Sequence, residues 1–250
     1  MPVLPTHDQY WQATLQWQPD AAQQALFQRL FEGILAGNQQ MNLTRITTPD
    51  EFWEKHLWDA LSGLEPWLVS DLPAWCSTPA LPKTIDIGTG AGIPGLPAAI
   101  ALPNWQINLL DSTQKKVRFL QALSTSLSLD QVTAIADRAE FLAHQPSHRE
   151  LYDIAMLRAV GPAATCVEYA LPLLKVGGVA VLYRGQWTES ESLELDAIAD
   201  QLGGHLVDVK AWQTPLTQGV RHCLYVQKRA VTTDEFPRAV GIPAKFPLAP

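Results

Sequence analysis

The twelve residues from Thr84 to Gly95, TIDIGTGAGIPG, constrain this chain more than any other stretch. β-Branched Ile85 and Ile87 flank an acid, Asp86, and read as the end of a buried strand. Gly88, Gly90, Gly92 and Gly95 then fall within eight residues, and the apolar run Ile93 to Leu102 suits a helix packed on a sheet. Strand, glycine turn and helix together let a backbone approach an adenosine-type cofactor closely. The stretch therefore predicts the cofactor site of an enzyme. The bland alternative is a tight turn that only packs a helix.

From Lys83 onward the pattern alternates strand and helix, which predicts a mostly parallel α/β sheet. Strands are expected over Trp105–Leu110 (ending in Asp111), Val132–Ala136, Tyr152–Leu157 (ending at Arg158), Val176–Tyr183, His205–Trp212 and Arg221–Gln227. Helices are expected over Thr113–Leu127, 161–174 and Thr188–Leu202. Before Lys83 there is no strand signal. Residues 8–37 read as a helix with a cap at Asp20 and apolar residues three and four apart. Thr48-Pro49-Asp50-Glu51 offers a second start, with a capping-box acid, for a helix carrying Phe52, Trp53, His56 and Leu57. The expected division is a helical extension (1–64), a proline-containing connector (65–82), a catalytic α/β domain (83–230) and a proline-rich basic tail (231–250).

A formal net charge of −7 argues against an unspecific cationic coat for nucleic acid, while leaving room for a local basic patch. Cys76, Cys166 and Cys223 are far apart and lack CxxC spacing, so a reduced protein without a zinc site is expected. No apolar run approaches a membrane span and the N-terminus lacks the blocks of a signal peptide, so the expected location is cytoplasmic.

Two cofactor classes use such a turn. Gly90-x-Gly92-x-x-Gly95 matches the dinucleotide fingerprint, with Asp111 about 20 residues on. That triplet starts late after the strand, however, and Asp86 beside it would repel a pyrophosphate. S-Adenosylmethionine carries a sulfonium and an ammonium and no phosphate, which suits an acidic strand end. Asp111, ending the next strand, is the natural acceptor for two ribose hydroxyls.

The motif Asp86-Ile87-Gly88-Thr89-Gly90-Ala91-Gly92-Ile93-Pro94-Gly95 resembles that of the RsmG (GidB) family, bacterial methyltransferases that modify guanine N7 in 16S ribosomal RNA. Further segments match in order: Asn42-Leu43-Thr44, His56-x-x-Asp59-Ala60-Leu61, and Leu109-Leu110-Asp111-Ser112 with Lys115, Arg118, Phe119 and Leu120. Arg138-Ala139-Glu140, Arg158-Ala159-Val160 and Phe236-Pro237-Arg238 complete the set, so the resemblance runs from about residue 38 to 248. Arg184-Gly185 stands where the family usually has Lys-Gly, and Ile93 where Phe or Leu is common. The resemblance implies a Rossmann-like class I methyltransferase fold with a seven-stranded sheet. It also implies S-adenosylmethionine as cofactor, the 16S rRNA or small ribosomal subunit as partner, no metal, and a monomer.

By the same resemblance, donor contacts fall at Gly88 and Ile93, at Asp111, Ser112 and Thr113, at Ala139 and Glu140, and at Arg158, with Asp86 and Gly90 in the turn itself. Arg158 ends a strand beside the transfer site and reads as a ligand for the donor carboxylate or an RNA phosphate, against a structural salt bridge. Lys115, Arg138, Arg184 and Arg238 are the candidates for RNA contact, with Arg158 and Arg184 nearest to the chemistry. His56 reads as a packing or hydrogen-bonding residue, and the tryptophans as core. Guanine N7 carries no proton, so methyl transfer to it needs in-line placement and no general base. The competing readings are a non-catalytic RNA- or ribosome-binding module and a nicotinamide-dependent oxidoreductase.

Overall fold

The computed structural model describes residues 2–69, 72–76 and 79–250. The N-terminal helix expected over 8–37 is two helices, α1 (Asp8–Leu15) and α2 (Ala21–Asn38). The break falls where Gln16 turns left-handed at φ 51° and Pro19 follows, and Asp20 then caps α2 with a reciprocal box to Gln23. Thr48 does begin α3 (Pro49–Phe52), but its hydroxyl donates to the Glu51 carboxylate at 2.9 Å and caps no backbone amide. The chain continues through a π-helical segment, Trp53–Trp58, into α4 (Asp59–Ser62), and the connector opens with α5 (Glu65–Leu68).

The remainder alternates as expected: β1 (Lys83–Ile87), α6 (Gly95–Ala101), β2 (Gln106–Asp111), α7 (Gln114–Ser126), β3 (Val132–Ala136) and α8 (Ala139–Leu142). It goes on through β4 (Tyr152–Arg158), α9 (Ala163–Ala170), β5 (Leu174–Arg184), α10 (Glu189–Gln201), β6 (Gly204–Gln213) and β7 (Val220–Lys228), with α11 (Ile242–Lys245) in the tail. The seven strands form one sheet in the order β3-β2-β1-β4-β5-β7-β6. All pairings are parallel except the two made by β7, which inserts antiparallel between β5 and β6. The strand order reverses between β1 and β4, so a crevice opens there at the carboxyl ends of the strands.

Both faces of the sheet are buried, which is why its central strands read as nearly continuous apolar runs. Side chains alternate between two cores. Ile107, Leu109, Ile154, Met156, Val179 and Val181 join one core with Leu96 of α6, Leu120 of α7 and the extension's Trp11, Phe31, Trp53 and Trp58. Ile85, Ile87, Ala155, Leu157, Ala180 and Leu182 join the other with residues of α8, α9 and α10. The extension therefore shares a core with the sheet, and these tryptophans are packing residues: Trp11 and Trp53 meet edge to face at 4.9 Å.

Candidate active site

At the end of β1 the chain turns back under β2, with Gly88 N and Thr89 N both donating to Leu110 O at 2.8 and 3.0 Å. Gly88 sits at φ +71°, and a Cβ there would come within 2.9 Å of Val160. Gly95 is required for a different reason: its Cβ would stand 2.2 Å from Leu109 Cδ2 and 2.9 Å from Asp86 Oδ2.

Asp86 braces this turn from beneath. Its Oδ2 accepts from Thr89 Oγ1 at 2.6 Å and from Gly95 N at 2.8 Å, while Oδ1 is buried without a partner. Burial pushes its pKa up to about 6, against the lowering effect of the Thr89 and Gly95 hydrogen bonds. The side chain is 1% exposed, so it meets a ligand through its charge and through the turn it shapes, not by direct contact.

A cavity of about 310 Å³ lies at the switch point. Gly88, Asp111, Ser112, Arg138, Ala139 and Glu140 line it, together with Ile87, Leu110 and Val160. Asp111 is held by two amides, Gly90 N at 3.2 Å on Oδ2 and Thr113 N at 2.8 Å on Oδ1, which fixes its carboxylate at the rim. Glu140 is 2% exposed and accepts through Oε1 from Tyr169 Oη at 3.1 Å and Gly241 N at 2.9 Å. The cavity thus pairs an acidic rim at the end of β2 with a slot between β1 and α8 that has apolar walls and the Glu140 carboxylate at its side. That donor set fits an adenosine carrying a positive charge and no phosphate. Gly90 and Thr113 act through Asp111, and Ile93 is 5% exposed in the core behind the turn.

The cations are arranged differently from the expectation. Arg158 Nη1 donates to Lys55 O and to Asp59 Oδ2, each at 2.5 Å, and Nη2 reaches His56 Nδ1 at 3.0 Å. The π-helical slip makes this possible, because Asp59 N bonds Glu54 O, one residue further back than in an α-helix, and Lys55 O turns to the arginine. Arg158 is therefore the structural salt bridge that was its alternative reading. His56 is held at both nitrogens, with Nε2 2.8 Å from Thr44 Oγ1. Burial first, and the Arg158 charge second, lower its pKa to about 3, so it is a neutral hydrogen-bonding residue. Since Nδ1 accepts from Arg158, we assign the Nε2–H tautomer.

Arg184 Nη1 donates to Gly161 O at 2.6 Å and Nη2 to Cys166 Sγ at 3.1 Å, beside a separate cavity that also includes Trp187. Arg238 is committed to buried Glu168, with Nε and Nη2 donating at 2.9 and 2.7 Å. Arg138 is exposed at the cavity, and Lys115 is exposed with Nζ on Gln40 O at 3.0 Å. Among the described residues no group of His, Cys, Asp and Glu could hold a metal ion, and no helix is long and apolar enough to cross a membrane. Tyr169 and Ala244 also line the cavity and were not anticipated, because no local motif marks a residue that arrives from α9 or from the tail.

The strand order with its single reversed strand, the glycine turn and the acid ending β2 define the class: a Rossmann-like methyltransferase. Residues 23–222 match the family model for rRNA small subunit methyltransferase G. The chain is 52% identical over 246 residues to the Ribosomal RNA small subunit methyltransferase G of Nostoc punctiforme, covering 98% of this chain and 99% of that one. It is 53% identical to the protein of the same name from Synechococcus elongatus, over 95% of each. This chain belongs to the rRNA small subunit methyltransferase G family, and it is an rRNA methyltransferase. The fold is also shared with Aeropyrum pernix fibrillarin in complex with S-adenosyl-L-methionine (TM-score 0.50, 17% identity, 68% of this chain and 76% of that one). A 16S rRNA (adenine-N1)-methyltransferase from Catenulisporales acidiphilia shares it too, with a TM-score of 0.50 and 14% identity over 62% of this chain and 88% of that one.

Proposed function

We propose that the protein methylates N7 of a guanine in 16S ribosomal RNA, with S-adenosyl-L-methionine as donor held in the cavity between β1, β2 and α8. The observation that carries the reading is the pairing of Asp111, fixed by two backbone amides at the rim, with the slot lined by Gly88, Ala139 and Glu140. When bound, the donor supplies a methyl carbon made electrophilic by its sulfonium.

Asp111 would accept both ribose hydroxyls. Ala139 and Glu140 would meet the adenine edge, one through its amide and one through a carboxylate. Ser112 lies beside them, and Asp86 beneath the turn adds a negative field that favours a cation above it. Guanine N7 carries a lone pair and no proton, so transfer to it would need no protein base and no residue is assigned a proton. The protein's contribution is placement, which in model systems is worth on the order of 7–11 kcal/mol of barrier.

Arg138, exposed at the cavity, and Lys115, exposed on α7, are the cations we assign to RNA phosphates. Arg158 and Arg184 would position the chain around the acceptor through Asp59, His56 and Gly161. We propose that the protein works in the cytoplasm as a monomer. The test is to incubate it with unmodified small subunits and labelled donor, then map the methylated nucleotide. Methyl incorporation at a guanine N7 is the expected result, and no incorporation into any small-subunit RNA or particle would refute the reading.

A further inference from the structure

The sequence offers Arg238 as a candidate for RNA, yet its guanidinium is spent inside the protein. Glu168, the acceptor, is fully buried on α9, and Arg238 reaches it through Nε, Nη2 and its own backbone amide, the last at 2.9 Å. The pair is one of several anchors that strap residues 229–250 over the face of the sheet covered by α8 and α9. Arg149 donates to the carbonyls of Thr232, Thr233 and Phe236, and His144 Nε2 lies 2.8 Å from Pro237 O. Further on, Thr165 Oγ1 donates to Pro243 O at 2.9 Å.

Between the Arg238 and Pro243 anchors the strap touches the cavity's Glu140, and just past Pro243 it reaches the cavity wall at Ala244. Gly241 N donates to Glu140 Oε1 at 2.9 Å, and Ala244 lines the cavity wall beside Tyr169. Glu140 is thus held from the tail side and from α9 at once, with Oε1 engaged by both and Oε2 left for a ligand.

We infer that the segment from Arg238 to Lys245 supplies the tail-side wall of the methyl-donor cavity at Gly241 and Ala244, and that Arg238 is the positioning residue that holds this wall in place. The inference rests on the donor-site assignment above. The strap orders Glu140 before the donor arrives, so ligand binding does not bear that cost. A loosened strap should weaken donor binding and leave the transfer step alone, because its contacts are to Glu140, Thr165 and Glu168 on the donor-cavity side.

The experiment uses the full-length protein, calorimetric titration with S-adenosylhomocysteine, and methyl-transfer kinetics on small subunits. Arg238→Gln is expected to raise the dissociation constant and the donor KM about tenfold, with kcat at saturating donor within about twofold and the KM for small subunits unchanged. An RNA-contacting Arg238 would move the opposite constant. Ala244→Trp leaves every anchor in place and fills the cavity from the tail side, so it should weaken binding about a hundredfold while the unliganded melting temperature stays near the parent's. This second variant decides the matter if Arg238→Gln folds poorly. Parent-like binding by Ala244→Trp would overturn the wall and leave the donor site standing; failure of the parent itself to bind would remove both.

Discussion

The guanidinium of Arg158 lies 2.5 Å from the carboxylate of Asp59, 99 residues earlier in the chain, and joins the end of β4 to the helical extension. Arg221 shares that carboxylate, with Nε 3.3 Å from Oδ1. The end of β4 is therefore tied to the extension by an ion pair and not by packing alone. Replacing Arg158 with Lys keeps the charge, but an ammonium cannot span Lys55 O, Asp59 and His56 Nδ1 together. Arg158→Lys is expected to lower stability by about 2 kcal/mol in urea denaturation, since a partly buried partner is left imperfectly paired. An unchanged midpoint would mean that the pair contributes nothing.

His56 makes a second prediction, on pH. Its pKa falls from 6.5 to about 3 on folding, mainly through burial and then through the charge of Arg158. The unfolded chain therefore binds a proton below pH 6.5 that the folded chain refuses, so stability is fully present above pH 6.5 and drains away as pH drops toward 3. His56→Gln removes that liability. At pH 8 the variant should be less stable by about 1–2 kcal/mol through its lost hydrogen bonds, and the gap should narrow steadily between pH 6.5 and 4. A gap independent of pH would show that His56 titrates normally.

Asp86 works with the opposite sign. Folding raises its pKa to about 6, so its contribution is most favourable below 3.8 and is lost as pH climbs through 6. A shift of that size costs about 3 kcal/mol at neutral pH. Asp86→Asn keeps an acceptor for Thr89 and Gly95 and puts an amide where Oδ1 lacks a partner. The variant should melt higher than the parent at pH 8 and converge with it near pH 4, while binding the cationic donor more weakly. Because the His56 and Asp86 effects oppose each other between pH 6 and 4, the parent curve alone will look flat. Only the two differences separate them.

Much of this was legible before the fold was known. The glycine turn, the alternating strands and Asp111 are local signals: period-two burial, positive φ and a strand-end acid leave marks within a dozen residues. The parts that sequence reading left open are contacts across the chain. Nothing near Arg158 says that Asp59 will claim it, and nothing near Arg238 announces Glu168, 70 residues before it. The π-helical segment was invisible for a related reason, since its apolar spacing is that of an ordinary helix and only Arg158 draws Lys55 O out of register. The helix break at Gln16–Asp20 carried a visible signal, Pro19, that the apolar periodicity on either side outweighed.

Asp111 carries the last prediction. Its two oxygens each hold an amide of the protein and stand at the rim, so the side chain both shapes the turn at Gly90 and offers acceptor capacity to a ribose. Asp111→Asn retains one acceptor oxygen and removes the charge, whereas Asp111→Ala removes both. Charge-assisted hydrogen bonds to a ligand are worth about 1.5–3 kcal/mol each. The Asn variant should therefore bind S-adenosylhomocysteine about tenfold more weakly, and the Ala variant about a hundredfold. The same loss should appear as a smaller rise in melting temperature when the ligand is added, because that rise follows the ratio of free ligand to dissociation constant. Lys116, 3.8 Å from Oδ2, should be freed in both variants and supplies an internal control: its neutralisation alone, as Lys116→Gln, should change donor affinity by less than about fivefold, since a loose pair with a partly exposed lysine is worth under about 1 kcal/mol. Equal affinities for the parent and Asp111→Ala would place the ribose elsewhere and with it the whole orientation of the donor.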